Sequence, residues 1–209
     1  MNCERKPFLD TLRFLVLPVK KKRIFIAVDV SDEVKKEVAG YINLLINRFP
    51  NLRVNWEKTE KFHLTLKFLG NTDESLLEKL KEKIGQNAEI VENFWLRING
   101  KGVFPNTRNP RVLWLGVEEQ LGRLSRLQNL IEKSCAELGF ETEKRDFKPH
   151  LTVARIRDPE KASELVRFHL EKNTEFKQGS FQVTEVVIYE SLLFPEGSVY
   201  RVISKHQLR

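Results

Sequence analysis

The order of apolar and polar residues along the chain alternates between strand-like and helix-like segments. Segment 23–30 (RIFIAVDV) is a dense, β-branched apolar run, which is typical of a buried strand. Ser31 and Asp32 then offer a helix N-cap, and apolar residues follow at helical spacing until Pro50. Further on, the pattern predicts a short strand over 53–56, a strand over 62–70, a helix opened by Asp73 and a strand over 94–98.

After a loop over 99–110 rich in Gly, Pro and Asn, the same order of elements begins again. Segment 111–117 (RVLWLGV) matches the first strand in character. The pattern then predicts a helix ending at Gly139, a strand over 149–155, a helix opened by Asp158-Pro159, and strands over 181–189 and 199–206 that form a hairpin around Pro195 and Gly197.

Three landmarks recur at a nearly constant offset. Arg23 precedes Arg111 by 88 residues, His63 precedes His150 by 87, and Asp73 precedes Asp158 by 85. We therefore predict a duplicated α+β fold, with two β-α-β-α-β lobes whose antiparallel-rich sheets face a central cleft. We expect an N-terminal extension over 1–22 and one bilobal domain over 23–207. Its lobes span roughly 23–110 and 111–207, and exchange of strands between them is left open.

Composition narrows the class of protein. The 209 residues are 41% hydrophobic and 31% charged, as in an ordinary folded protein, and the net charge of +7 favours an anionic partner. Cys3 and Cys135 lie far apart and give no disulfide or zinc signature, which fits a cytoplasmic protein. The apolar patch within 1–22 is interrupted by Asp10 and Pro18 and is too short to span a bilayer, so we expect no membrane association.

The candidate chemistry lies in two copies of His-x-Thr. Because strand side chains alternate, His63 and Thr65 share one face of their strand, and His150 and Thr152 share one face of theirs. Two imidazoles across a cleft can act as acid and base in one displacement, while the hydroxyls donate to an oxyanion. The pattern indicates a phosphodiester substrate. It carries no metal-ligand spacing, so we expect no metal and no cofactor.

These residues resemble the paired motifs of the 2H phosphoesterase superfamily. Within it, the chain is similar to the RNA 2′,3′-cyclic phosphodiesterase family, also described as 2′-5′ RNA ligases. The resemblance spans roughly residues 23 to 204 and rests on five stretches: RIFIAVDV, HLTLKFLG, GVFPN followed by RNPRVLWLGV, KPHLTVAR and YESLLFPEGSVY.

The resemblance implies an enzyme that hydrolyses 2′,3′-cyclic phosphate ends of RNA to 2′-phosphates without metal. It implies that His63 is the proton donor and His150 the proton acceptor, and that Thr65 and Thr152 bind the phosphate. Sequence symmetry alone does not decide between acid and base, and the roles could exchange with the leaving oxygen. Because both motifs lie in one chain, we expect a monomer.

Three further residues are weaker candidates for substrate binding. Lys67 shares the strand parity of His63, so it is expected at the rim of the cleft or in solvent. Arg155 has the opposite parity to His150, and only a bend would aim it at the phosphate. Phe104, in the predicted loop, either stacks on a nucleobase or anchors the loop.

Other functions remain open at this point. The same acid–base pair could ligate RNA halves through a 2′-5′ bond or open a small cyclic nucleotide phosphate. A non-catalytic RNA-end-binding protein is a third alternative, although the intact histidines of both motifs argue against it. His169 is expected to pack or lie at the surface, and His206 is expected to be exposed.

Overall fold

The computed structural model describes residues 20–171, 179–195 and 197–209, so 1–19, which include Cys3 and most of the expected extension, lie outside the described residues. The described helices are α1 (Asp32–Arg48), α2 (Leu77–Glu89), α3 (Arg123–Glu137) and α4 (Ser163–Leu170). The strands are β1 (Lys21–Asp29), β2 (Val54–Trp56), β3 (His63–Asp73), β4 (Phe94–Phe104), β5 (Val112–Glu118), β6 (His150–Ile156), β7 (Ser180–Val183), β8 (Glu185–Phe194) and β9 (Gly197–Gln207).

The strands form two sheets in the described residues. One has the order β3-β1-β8-β9, which we call the first sheet, and the second sheet has the order β2-β6-β5-β4-β7. Every pairing in both sheets is antiparallel. The predicted α+β fold with antiparallel-rich sheets is confirmed.

Each sheet takes strands from both halves of the sequence. β4 follows β3 along the chain but pairs with β5 in the second sheet, and β8 follows β7 but pairs with β1 in the first sheet.

Two element boundaries predicted from the sequence are wrong. The expected loop over 99–110 begins only after Phe104, because β4 continues past an irregularity at Asn99-Gly100. The expected strand over 181–189 divides at Thr184 into strands of different sheets.

The helices form because each has an apolar face, and α1 also has a side-chain N-cap. The Ser31 hydroxyl accepts the backbone N–H of Val34 at 3.4 Å and caps α1. α1 then buries Val38 and Leu45 in the apolar core. α2 and α3 contact each other and the first sheet, and α4 contacts β4 of the second. No helix of the described ranges is both long and apolar enough to cross a bilayer.

β1 shows how the sheet separates core from cleft. Ile24, Ile26 and Val28 belong to the apolar core that the helices cover. The alternate residues Phe25 and Asp29 project from the opposite face, which also carries the first His-x-Thr motif.

Candidate active site

The two His-x-Thr motifs begin the strands β3 and β6. These strands belong to different sheets but contact each other. The charge of His150 acts on the pKa of His63, and the charge of Arg155 acts on the pKa of both imidazoles. The two histidines and Arg155 therefore lie within electrostatic reach of one another.

Both imidazoles are held by the same kind of hydrogen bond to a backbone carbonyl. His63 Nδ1 lies 2.7 Å from the carbonyl oxygen of Lys61, and His150 Nδ1 lies 2.7 Å from the carbonyl oxygen of Lys148. A carbonyl can only accept, so each Nδ1 carries the hydrogen and donates it. Each Nε2 is then the atom that exchanges protons, which is the arrangement a general acid or base requires.

The threonines lie on the same strand faces as the histidines. Thr65 Oγ1 lies 2.9 Å from His63 Nε2, so the hydroxyl and the imidazole are hydrogen-bonded to each other. Thr152 is half-buried two residues after His150 on the matching face of β6. Each motif strand thus presents one hydroxyl and one imidazole on the same strand face.

A β-bulge reverses the side-chain parity of both motif strands just after the threonine. In β6, Trp114 pairs with Thr152 and Leu113 pairs with Ala154, so Val153 is the extra residue. Val153 and Ala154 are consequently both buried, and Arg155 returns to the face of His150 and Thr152. The bulge therefore turns Arg155 toward the face of His150, which a regular strand would not do.

The corresponding bulge in β3 turns Lys67 away from the cleft. Leu66 is the extra residue of β3, and Lys67 turns inward, where its side chain is only 6% exposed. Its Nζ lies 2.6 Å from a carboxylate oxygen of Glu132 and 2.7 Å from the carbonyl oxygen of Glu141. The expectation of Lys67 at the cleft rim is wrong, because it assumed a regular strand.

Phe68 occupies the position in β3 that Arg155 occupies in β6. It is 54% exposed and stacks on Phe25, with ring centroids 5.5 Å apart. Arg23 lies over the Phe68 ring at 5.5 Å. The sequence pattern did not indicate that Phe68 lies on this face, because a bulge cannot be predicted from strand alternation.

Phe104 ends β4 and contacts the second histidine. Its ring meets the imidazole of His150 edge-on at 5.0 Å and lies 5.1 Å from the ring of Trp114. Phe104 is therefore part of a strand in the wall of the site, and not of the loop in which it was expected. Its stacking on a nucleobase stays a prediction.

The first histidine has neighbours that the sequence analysis missed. Phe25 lies 4.9 Å from His63 and Tyr200 lies 5.2 Å from it, in an edge-on contact. Asp29 pairs with His63 across the sheet, and its carboxylate accepts the hydroxyl of Tyr189 at 2.6 Å. The sequence did set Asp29 apart, because its carboxylate interrupts the otherwise apolar run 23–30.

The electrostatics distinguish the two imidazoles. Burial lowers the pKa of both histidines below the ordinary value, and the nearby Arg155 guanidinium lowers both further. Asp29 opposes this effect at His63 alone. His63 therefore has a carboxylate that favours its protonated form, whereas the causes of the His150 shift include no carboxylate.

The other two histidines lie elsewhere. His169 is fully buried, with Nδ1 2.9 Å from the Tyr41 hydroxyl and Nε2 3.1 Å from the carbonyls of Gly102 and Trp114, and burial lowers its pKa to about 4. Of the two alternatives expected for His169, packing is the one observed. His206 is half-buried beside Ser204, so it is less exposed than expected. In the described part of the chain, no three His, Cys, Asp or Glu side chains cluster closely enough to hold a metal ion.

Solved structures share this two-sheet architecture. A Thermus thermophilus protein superimposes with a TM-score of 0.73 at 26% identity, covering 90% of this chain and 98% of that one. Escherichia coli LigT complexed with 3′-AMP gives a TM-score of 0.70 at 23% identity, covering 90% and 99%. The fold is therefore that of LigT-like proteins.

Sequence comparison then identifies the family. A sequence model of the 2′-5′ RNA ligase superfamily matches residues 56–192, which contain both His-x-Thr motifs. A Thermotoga maritima protein named RNA 2′,3′-cyclic phosphodiesterase is 33% identical over 186 residues, 88% of this chain and 95% of that protein. An Archaeoglobus fulgidus protein of the same name is 35% identical over 181 residues, 86% and 96% of the two chains. The chain belongs to the 2′-5′ RNA ligase superfamily, and the resemblance seen in its sequence is confirmed.

Proposed function

We propose that this chain is an RNA 2′,3′-cyclic phosphodiesterase that hydrolyses cyclic phosphate ends to 2′-phosphates with a histidine acid–base pair. The observation that carries the proposal is the matched hydrogen bond from Nδ1 to a carbonyl in both motifs, which leaves two Nε2 atoms for proton transfer. The curated relatives that match most of the chain carry the name of this activity.

In the proposed reaction, His150 Nε2 takes a proton from a water molecule, and the water oxygen attacks phosphorus. The bond from phosphorus to the 3′ oxygen breaks, and His63 Nε2–H gives its proton to that oxygen. One P–O bond forms and one breaks, and the phosphate stays on the 2′ oxygen. Both imidazoles exchange their protonation states, and proton exchange with solvent restores them.

The neighbours of the two histidines support this assignment of acid and base. Asp29 lies opposite His63 and favours its protonated form, as a proton donor requires. Burial lowers the pKa of both imidazoles, but at His150, which lies against Phe104, no carboxylate opposes this effect, so the neutral form is favoured there, as a proton acceptor requires. In this proposal the difference in environment assigns the roles, whereas the two motifs alone are equivalent.

The remaining cleft residues bind the anion. Thr65 and Thr152 donate hydroxyl hydrogen bonds to the non-bridging oxygens, and the Arg155 guanidinium balances the charge that grows on them in the transition state. Because Arg155 acts on both imidazoles, a phosphate between the two would lie within reach of it. These roles require no metal ion.

Incubation with nucleoside 2′,3′-cyclic phosphates in EDTA, followed by chromatography against authentic 2′- and 3′-phosphates, tests the proposal. We expect turnover that chelation does not change and a 2′-phosphate product. A 3′-phosphate product would overturn the assigned leaving oxygen, and activity abolished by EDTA would overturn the metal-free mechanism. The cytoplasmic location and monomeric state stay predictions.

A further inference from the structure

A cavity lies beside the first histidine. It has a volume of about 300 Å³ and lies between the turn that precedes β3 and the tip of the β8–β9 hairpin. That size is within the range of small-ligand sites. Its lining residues are Lys58, Glu60, Lys61, Phe194, Gly197, Ser198, Val199 and Tyr200.

The cavity adjoins the candidate active site through two residues. Tyr200 lines the cavity and also contacts the imidazole of His63 edge-on, at 5.2 Å. Lys61 lines it with its side chain, while its carbonyl holds His63 Nδ1. The Lys61 ammonium lies 5.9 Å above the Tyr200 ring. A ligand in this cavity would therefore adjoin the group that is proposed to protonate the leaving oxygen.

The lining combines cations with one exposed aromatic ring. Neither the Lys58 nor the Lys61 ammonium forms an ion pair with a carboxylate of the residues that the structure describes, although Glu60 shares the cavity. Phe194 is 52% exposed. Lysines bind phosphate, and an exposed aromatic ring stacks on any nucleobase.

We propose that this cavity binds the nucleotide on the 5′ side of the residue that carries the cyclic phosphate. The inference rests on the proposed function, and it makes the substrate an RNA strand rather than a free cyclic nucleotide. A cyclic phosphate terminates the 3′ end, so the rest of the strand leaves the cleft from the 5′ side of the terminal ribose. Phe194 stacks on the penultimate base, and Lys58 and Lys61 contact the phosphate that joins the two nucleotides.

Steady-state kinetics on two substrates test this site. One substrate is a nucleoside 2′,3′-cyclic phosphate, and the other is a dinucleotide with the same cyclic end. We expect the unaltered protein to favour the dinucleotide in kcat/KM by about tenfold, the scale of one base stack. Phe194→Ala and Lys58→Ala should each lower that preference severalfold, and Lys58→Ala should also reduce the salt dependence of kcat/KM for the dinucleotide.

Leu193→Ala is the matched control. Leu193 adjoins Phe194 and is 68% exposed, but it does not line the cavity. This variant should keep the full preference for the dinucleotide. Equal kcat/KM of the unaltered protein for both substrates, or an equal loss of preference in Leu193→Ala and Phe194→Ala, would overturn the site alone. Turnover of neither substrate would overturn the proposed function itself.

Discussion

The motif strands β3 and β6 share one backbone design but differ in what surrounds it. Each places a histidine on a carbonyl two residues earlier and a bulge after the threonine. Opposite His63 lies Asp29, whereas opposite His150 lies Gly116, where a Cβ would approach the Asn99 carbonyl oxygen to 2.2 Å. A carboxylate therefore fits beside the first histidine only.

The positions after the bulge have diverged as well. β3 has Phe68 where β6 has Arg155, and β3 buries Lys67 where β6 buries Ala154. The shared geometry explains why both imidazoles are suited to proton transfer. The differences beside them explain how two equivalent motifs could perform opposite steps of one reaction.

Removal of either imidazole tests most directly whether both motif strands are needed for turnover. His63→Ala and His150→Ala should each lower kcat by at least about a hundredfold, the usual scale of general acid–base catalysis. Circular dichroism and thermal melting serve as controls for folding. Near-normal turnover in either variant would show that the two motifs do not act as a pair.

Arg155 and Phe68 occupy matching positions, so their alanine variants separate a charged role from a packing role. Arg155→Ala should lower kcat/KM by roughly tenfold to a hundredfold, since a hydrogen bond to a charged group contributes about 1.5–3 kcal/mol. Phe68→Ala should change it by no more than about twofold, as at most exposed sites. If Phe68→Ala lost as much as Arg155→Ala, the phosphate would not be bound as proposed.

Asp29→Asn tests whether the carboxylate distinguishes the two histidines. Asp29 raises the pKa of His63, so its neutralisation should lower that pKa and move the alkaline limb of the kcat/KM profile to lower pH. Tyr189→Phe, which removes only the hydrogen bond to Asp29, is the control and should move the limb less. A shift of the acid limb instead would identify His63 as the base.

The pH optimum provides a further test of the same electrostatics. Activity requires a neutral base and a protonated acid, so kcat/KM should be bell-shaped, with its maximum at the mean of the two pKa values. Burial and Arg155 place both pKa values below the ordinary 6.5. The maximum should therefore lie below about pH 6.5, and activity should fall as rising pH deprotonates the acid. A maximum above pH 7.5 would contradict these environments.

Lys67 should affect stability rather than turnover. Its ammonium is buried against Glu132, so Lys67→Met leaves that carboxylate without its cationic partner and should lower the free energy of unfolding by about 3 kcal/mol. Denaturant unfolding measures this loss, and Lys67→Met combined with Glu132→Leu should recover part of it. A large loss of kcat at unchanged stability would instead assign Lys67 to substrate binding.

The elements and the two motifs could be predicted because they depend on local pattern. Helical spacing and strand alternation were sufficient for α1 to α4 and for the strands that bear His63 and His150. The positions of Lys67 and Arg155 could not be predicted, because a bulge just after the threonine of each strand inverts the parity of the side chains that follow it. The aromatic neighbours of His63 depend on pairing between β1, β8 and β9, which no local pattern specifies.

The crossing of β4 and β8 into opposite sheets has a consequence for the origin of this chain. A half-length ancestor, folded alone, would have had no partner half to receive the strand that crosses. Two copies could have satisfied each other by reciprocal exchange, giving an intertwined homodimer with one histidine from each subunit. Gene fusion of such a dimer would have preserved the crossed strands and freed each copy to specialise.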